Sequence, residues 1–99
     1  MFLAKVIGSI VSSQKSPRCS GMKLLLIQPH VTDKGTLVPS GSTVVAIDTV
    51  GAGEGNLVMF VQGSSARLTE ITKDAPVDAA IIGIVDSVES GGRRIETAS

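Results

Sequence analysis

Apolar residues in this chain come in five short runs: Leu3–Ser12, Lys23–Val31, Thr43–Val50, Leu57–Gln62 and Ala79–Val88. Val and Ile dominate them, and β-branched side chains fit a pleated surface better than a helix. Between the runs lie Ser16-Pro17 with Ser20-Gly21, then Asp33-Lys34-Gly35, Pro39-Ser40-Gly41 and the Gly-rich stretch Gly51–Asn56. These are turn-forming sequences, so the pattern predicts an all-β domain of short strands, a closed barrel or a sandwich. Thr32–Ser42 reads as a loop. One helical candidate stands out, Gly63–Thr72, with Ser64 or Ser65 as its cap and Pro76 blocking extension. Near the end, Gly91-Gly92 suits a hairpin turn, with Arg93–Thr97 returning as a short sixth strand.

A strand with one wet face alternates apolar and polar residues. These strands do not. Leu24-Leu25-Leu26-Ile27, Val44-Val45-Ala46-Ile47, Leu57–Val61 and Ala79–Val85 are nearly continuous apolar runs, which implies cover on both faces. A small barrel has one interior and cannot hide its own outside. Two arrangements answer this: neighbouring copies, or a sandwich in which two sheets and the helical turn bury the runs internally. At roughly 25 cal/mol per Å² of apolar area, a few hundred Å² per neighbour offsets a large part of the association cost. The expectation is an obligate oligomer.

Length changes the picture little: 99 residues make one domain, 1–99, with 89–99 as a variable C-terminal hairpin or tail. Net charge is zero, and Phe2 and Phe60 are the only aromatics. Nucleic-acid binding calls for a basic field and stacking platforms, which such a chain lacks. The charges are polarised, however. Residues 1–34 carry a net +4 and residues 35–92 a net −5, a polarity suited to head-to-tail association. The start, Met-Phe-Leu-Ala-Lys, is no signal peptide, and no apolar run reaches membrane-spanning length. Cys19 is the single cysteine, so no disulfide framework exists, and the chain reads as cytosolic.

Candidate chemistry is sparse. His30, the one histidine, sits in Gln28-Pro29-His30 with no His, Cys or acid cluster at ligand spacing, and reads as an exposed or capping residue at a strand end. Gly51-Ala52-Gly53-Glu54-Gly55 has neither the spacing nor the following helix of a phosphate loop, and Glu54 would repel an anion. It reads as a tight loop needing positive φ or close approach at Gly51 and Gly53. Gly63-Ser64-Ser65-Ala66-Arg67 sets two hydroxyls near a guanidinium, an arrangement for a helix cap and an inter-subunit ion pair rather than an anion site. Asp48, Asp78 and Asp86 fall at strand edges, where a carboxylate can satisfy loop N–H groups. No enzyme activity, cofactor or metal is expected.

Several segments together resemble the EutN/CcmL family, the pentameric vertex proteins of bacterial microcompartment shells. They are Ala4–Ser13, Gly21–Pro29, Ala46-Ile47-Asp48-Thr49-Val50-Gly51-Ala52-Gly53, Gly63-Ser64-Ser65-Ala66-Arg67 and Pro76–Asp86. The resemblance spans residues 2–88. It implies a small closed five-stranded β-barrel related to the OB architecture, with one short helix, assembled as a homopentamer with a narrow axial pore. It implies a structural protein in the cytoplasm that caps shell corners, with hexameric and trimeric shell proteins as partners. By the same resemblance Gly51, Ala52, Gly53 and Glu54 lie near the five-fold axis, while Asp48, Ser64, Ser65, Arg67, Pro76 and Asp78 serve subunit packing. Asn56 stands where members of the family often carry an acid, and Arg93–Ser99 matches poorly. Two competing readings remain at this point: an OB-like ligand- or nucleic-acid-binding module, and an enzyme or regulatory subunit with a site around Arg67.

Overall fold

Alternation within the runs decides which side chains turn inward. In the computed structural model, which describes residues 1–11, 23–63, 79–90 and 92–97, Ala4 and Val6, Leu25 and Ile27, Val58 and Phe60, and Ala79 and Ile81 point into one buried cluster joined by Ala46 and Ala52. Successive side chains on a strand face opposite ways, so every second residue of each run enters this core. Phe60 is the one aromatic ring within it, and alanines at 4, 46, 52 and 79 leave room for that ring in a narrow interior.

The strands that carry these residues are β1 (Phe2–Ser9), β2 (Lys23–Asp33), β3 (Thr36–Pro39), β4 (Val44–Asp48), β5 (Leu57–Gln62) and β6 (Ala79–Val85). Hydrogen bonding runs β1-β5-β6-β4-β2, and β2 pairs again with β1, so five strands close into a barrel. The weakest seam is β4–β6, a parallel pair of two register positions, Ile47↔Ala80 and Asp48↔Ile81. The register shifts between Val6 and Gly8 and between Met59 and Phe60. Such bulges bend a strand and increase its twist, which a sheet this small needs in order to close.

The expected all-β barrel is therefore present, and two of its boundaries differ from the sequence reading. Thr32–Ser42 is not a loop. Lys34 (φ 51°) and Gly35 (φ 79°) make a two-residue hairpin turn, and Thr36–Pro39 returns as β3 against the extended end of β2. Two positive φ values match the twist of the flanking strands, so a segment that reads as a breaker is the tightest kind of connection. At the other end of the chain, β7 (Glu89–Ser90) and β8 (Arg93–Arg94) form the expected hairpin, with Gly92 at φ 79°. The returning strand expected over Arg93–Thr97 is broken at Ile95, and its second part, β9 (Glu96–Thr97), lies parallel beside β3, a pairing the sequence did not suggest. The helical candidate Gly63–Thr72 lies outside the described residues, apart from Gly63 itself.

The outer face of the barrel is only partly covered. Ile47 and Ala80 point away from the core cluster yet are fully buried, whereas Ile7, Val45 and Ile84 remain exposed, Val45 at 49%. Val45 lies directly across the β2–β4 ladder from Leu26, which in turn faces Gly8 beside the exposed Ile7. An apolar strip on β1, β2 and β4 is thus left in water by a single chain.

Candidate functional site: the loop between Asp48 and Leu57

The Gly-rich loop links β4 to β5, and its shape is fixed from both ends. Asp48 closes β4, and its Oδ1 accepts hydrogen bonds from the backbone N–H groups of Val50 (3.0 Å) and Gly51 (3.1 Å). This is the carboxylate-to-loop capping that short acidic side chains make well. Oδ2 lies 3.8 Å from Lys23 Nζ, and the Asp48 side chain is 2% exposed against 54% for Lys23. The same ammonium donates to Ala52 O at 2.8 Å. A carboxylate out of water needs such partners on both oxygens.

Gly51 takes φ 81°, a conformation costly to any side chain, and so turns the chain inward. Ala52 then drops its methyl into the barrel core, 1% exposed. Beyond it, Gly53 N donates to Asn56 Oδ1 (2.8 Å) and Asn56 N donates to Gly53 O (3.0 Å). With Gly55 at φ 91° this is a type II turn whose exposed corner is Glu54-Gly55. Gly55 N donates to Val6 O (2.8 Å) and Val6 N to Asn56 O (2.9 Å), tying the turn to β1. Thr49 Oγ1 donates to Ile81 O at 2.6 Å, tying the loop's start to β6. The loop is a braced plate with a carboxylate, Glu54, at its tip.

Of the residues singled out from the sequence, Asp48, Gly51, Ala52, Gly53 and Glu54 thus come together in one loop. Ser64, Ser65, Arg67, Pro76, Asp78 and Cys19 lie outside the described residues. The expectation for Gly53 needs correcting. Its φ is not positive, and a Cβ there would meet nothing nearer than Asn56 Oδ1 at 3.9 Å. Within the chain, the backbone demand falls on Gly51 and Gly55. The bracing residues Lys23, Thr49 and Asn56 were not foreseen, because their partners are set by barrel closure rather than by spacing.

His30 also departs from expectation. It is buried, with 6% exposure, because β2 runs on to Asp33 and places it mid-strand between Leu3 and Pro39. Its Nδ1 lies 2.8 Å from Gln28 O, and Nε2 has no partner among the described residues. No three His, Cys, Asp or Glu side chains among the described residues converge at metal-ligating distance. Chemically the loop can present a rigid backbone and one carboxylate per copy. It offers no convergent acid–base pair.

Comparison with known proteins agrees with this geometry. The family model for EutN/CcmL, ethanolamine utilisation protein EutN/carboxysome, matches residues 1–86. The bacterial microcompartment shell vertex protein GrpN of Rhodospirillum rubrum (strain F11) is 49% identical over 90 residues, covering 91% of this chain and 98% of that protein. The shell vertex protein EutN of Escherichia coli (strain K12) is 43% identical over 95 residues, covering 96% and 97%. Among solved structures, the pentameric microcompartment shell protein GrpN from Rhodospirillum rubrum superposes with a TM-score of 0.75 at 47% identity, over 91% of this chain and 98% of that one. CcmL of Nostoc sp. PCC 7120 superposes with a TM-score of 0.84 at 40% identity, over 99% and 100%.

Proposed function

The chain belongs to the EutN/CcmL family, and from that premise we propose that it is a structural vertex subunit of a bacterial microcompartment shell, acting as a ring of five copies. The observation that carries this reading is the match along the barrel to a pentameric shell protein, GrpN, at 47% identity. The apolar strip of exposed Ile7 and Val45 with half-buried Leu26 between them supports it, since a ring gives that strip a neighbour.

The physics of closure explains why such a ring is needed. Hexagonal tiles make flat sheets, and a closed polyhedron requires pentagons at its corners. A five-fold ring in turn requires a heterologous contact, one surface of each copy meeting a different surface of the next. In this reading Gly51, Ala52, Gly53 and Glu54 line the five-fold axis, where a braced loop keeps five copies of the Glu54 carboxylate at a fixed radius. Asp48 supports the loop from within its own chain. Ser64, Ser65, Arg67, Pro76 and Asp78 serve packing between copies. The partners are hexameric and trimeric shell proteins, and the location is the shell in the cytoplasm. The work is structural and needs no catalytic group or cofactor.

The test is reconstitution. Hexameric shell proteins mixed with this chain should form closed particles, and without it open sheets or leaky shells. Equal closure in both mixtures would overturn the function.

A further inference from the structure

The barrel is complete at Val85, the last residue of β6, and the family match ends at residue 86. The C-terminal segment after it is built differently. Strands β7 and β8 pair with each other in a sheet of their own, Glu89↔Arg94 and Ser90↔Arg93. Ile95 N donates to Val88 O at 2.6 Å, which closes the segment on itself. Among the described residues its one ladder to the barrel is β9 against β3, two register positions long, Thr36↔Glu96 and Leu37↔Thr97.

That attachment is thin. A parallel ladder is slightly weaker per residue than an antiparallel one, and two positions make a minimal one. Between the segment and the barrel runs a cleft of about 300 Å³ that opens to solvent, lined by Asn56, Leu57, Val85, Asp86, Val88 and Arg94. Yet Ile95 is buried, with 7% exposure, so the segment carries an apolar anchor. Asp86, Ser87 and Val88 form a short connection outside regular strands on which it can swing.

We propose that the C-terminal arm, residues 87–97, is exchanged between neighbours in the ring, its last strand pairing with β3 of the adjacent copy. The inference rests on the ring reading above. Strand edges accept strands from any chain, and exchange of an identical element costs little because the same contacts form. One arm leaving and one edge receiving is a head-to-tail contact, the type that closes a ring. A bond of this kind adds main-chain hydrogen bonds to an interface whose outer strip is otherwise purely apolar.

The register gives the experiment. In the full chain with Cys19→Ser, the pair Thr36→Cys and Glu96→Cys places two thiols at facing positions of the β3–β9 ladder. Native mass is measured first, then the protein is oxidised, or treated with a short bismaleimide, and run under denaturing, non-reducing conditions. The expected result is a ring by native mass and a ladder of covalently joined chains up to five. A ring whose chains separate as monomers, each closed by an internal link, would overturn the exchange while leaving the ring reading intact. A ring giving no link by either chemistry would also overturn it, since β9 would then lie on no β3. A monomer at the first step would overturn the ring reading, and the exchange with it.

Discussion

Lys23 and Asp48 face each other across the β2–β4 ladder, and the Lys23 ammonium bridges the Asp48 carboxylate at 3.8 Å and the Ala52 carbonyl at 2.8 Å. One exposed cation and one buried anion thereby hold the first half of the loop from outside and from within. The carboxylate is the more consequential partner. It accepts two backbone bonds at 3.0 and 3.1 Å, whereas the lysine is half in water and its ion pair is screened.

Asp48→Ala is accordingly expected to destabilise the barrel by about 2–3 kcal/mol, since it removes a charge-assisted acceptor from two loop N–H groups. Asp48→Asn retains one acceptor oxygen and should lose about 1 kcal/mol. Lys23→Met should fall within about 1 kcal/mol of wild type. Denaturant melts of the three variants at one fixed protein concentration check the order, because ring formation makes stability concentration-dependent. A loss in Lys23→Met as large as that in Asp48→Ala would mean that the ion pair, not the loop capping, matters.

The fold was largely legible in the sequence, and the reason is local. Runs such as Leu24–Ile27 and Leu57–Val61 are β-branched or apolar throughout, bounded by Gly and Pro, and each became a strand. β3 was not legible because its four residues follow a turn whose first corner is a lysine at positive φ, an uncommon choice. Within the loop, Gly51 and Asp48 could be singled out from residue type alone. Lys23 could not, since it lies 29 residues from Ala52 and meets it only when the barrel closes. Family resemblance supplied the five-fold ring, which no count of apolar positions contains.

Gly83 faces Met59 across the β5–β6 ladder, and a Cβ at Gly83 would sit 2.7 Å from Met59 Cε. Gly83→Ala therefore makes the flexible thioether end move aside and should cost less than about 1 kcal/mol. Met59→Val shortens the opposing side chain and should recover most of that loss in the double variant. A thermodynamic cycle over the four proteins measures the coupling. Additive effects would show that the Met59 side chain relaxes freely.

Val45 tests the outer strip. It is half exposed and outside the core, so Val45→Asp should change the stability of an isolated barrel by less than about 1 kcal/mol. Set against a neighbour in the ring, a buried carboxylate would lack a partner, and the dissociation constant should rise at least about tenfold for each 1.4 kcal/mol lost. Light scattering over a dilution series reads this directly. A ring as stable as wild type would place the inter-copy contact away from β4.

Gly51 and Gly53 separate what the loop needs from its own chain and what it needs from its neighbours. Gly51 sits at φ 81°, so Gly51→Ala carries about 1–2 kcal/mol of backbone strain wherever the loop lies. Gly53 has ordinary φ and open space around its missing Cβ, so Gly53→Val should leave the thermal transition of the barrel almost unchanged. If the loop lines a five-fold axis, however, five valines converge where five glycines met. The Gly53→Val ring should then dissociate at higher protein concentrations than the wild type, with native mass spectrometry reporting free chains of normal fold. A Gly53→Val ring of wild-type mass and stability would move the loop off the axis, and Glu54 with it. Loss of folding in Gly53→Val alone would instead mean that the loop is packed more tightly by its own chain than the 3.9 Å clearance to Asn56 allows.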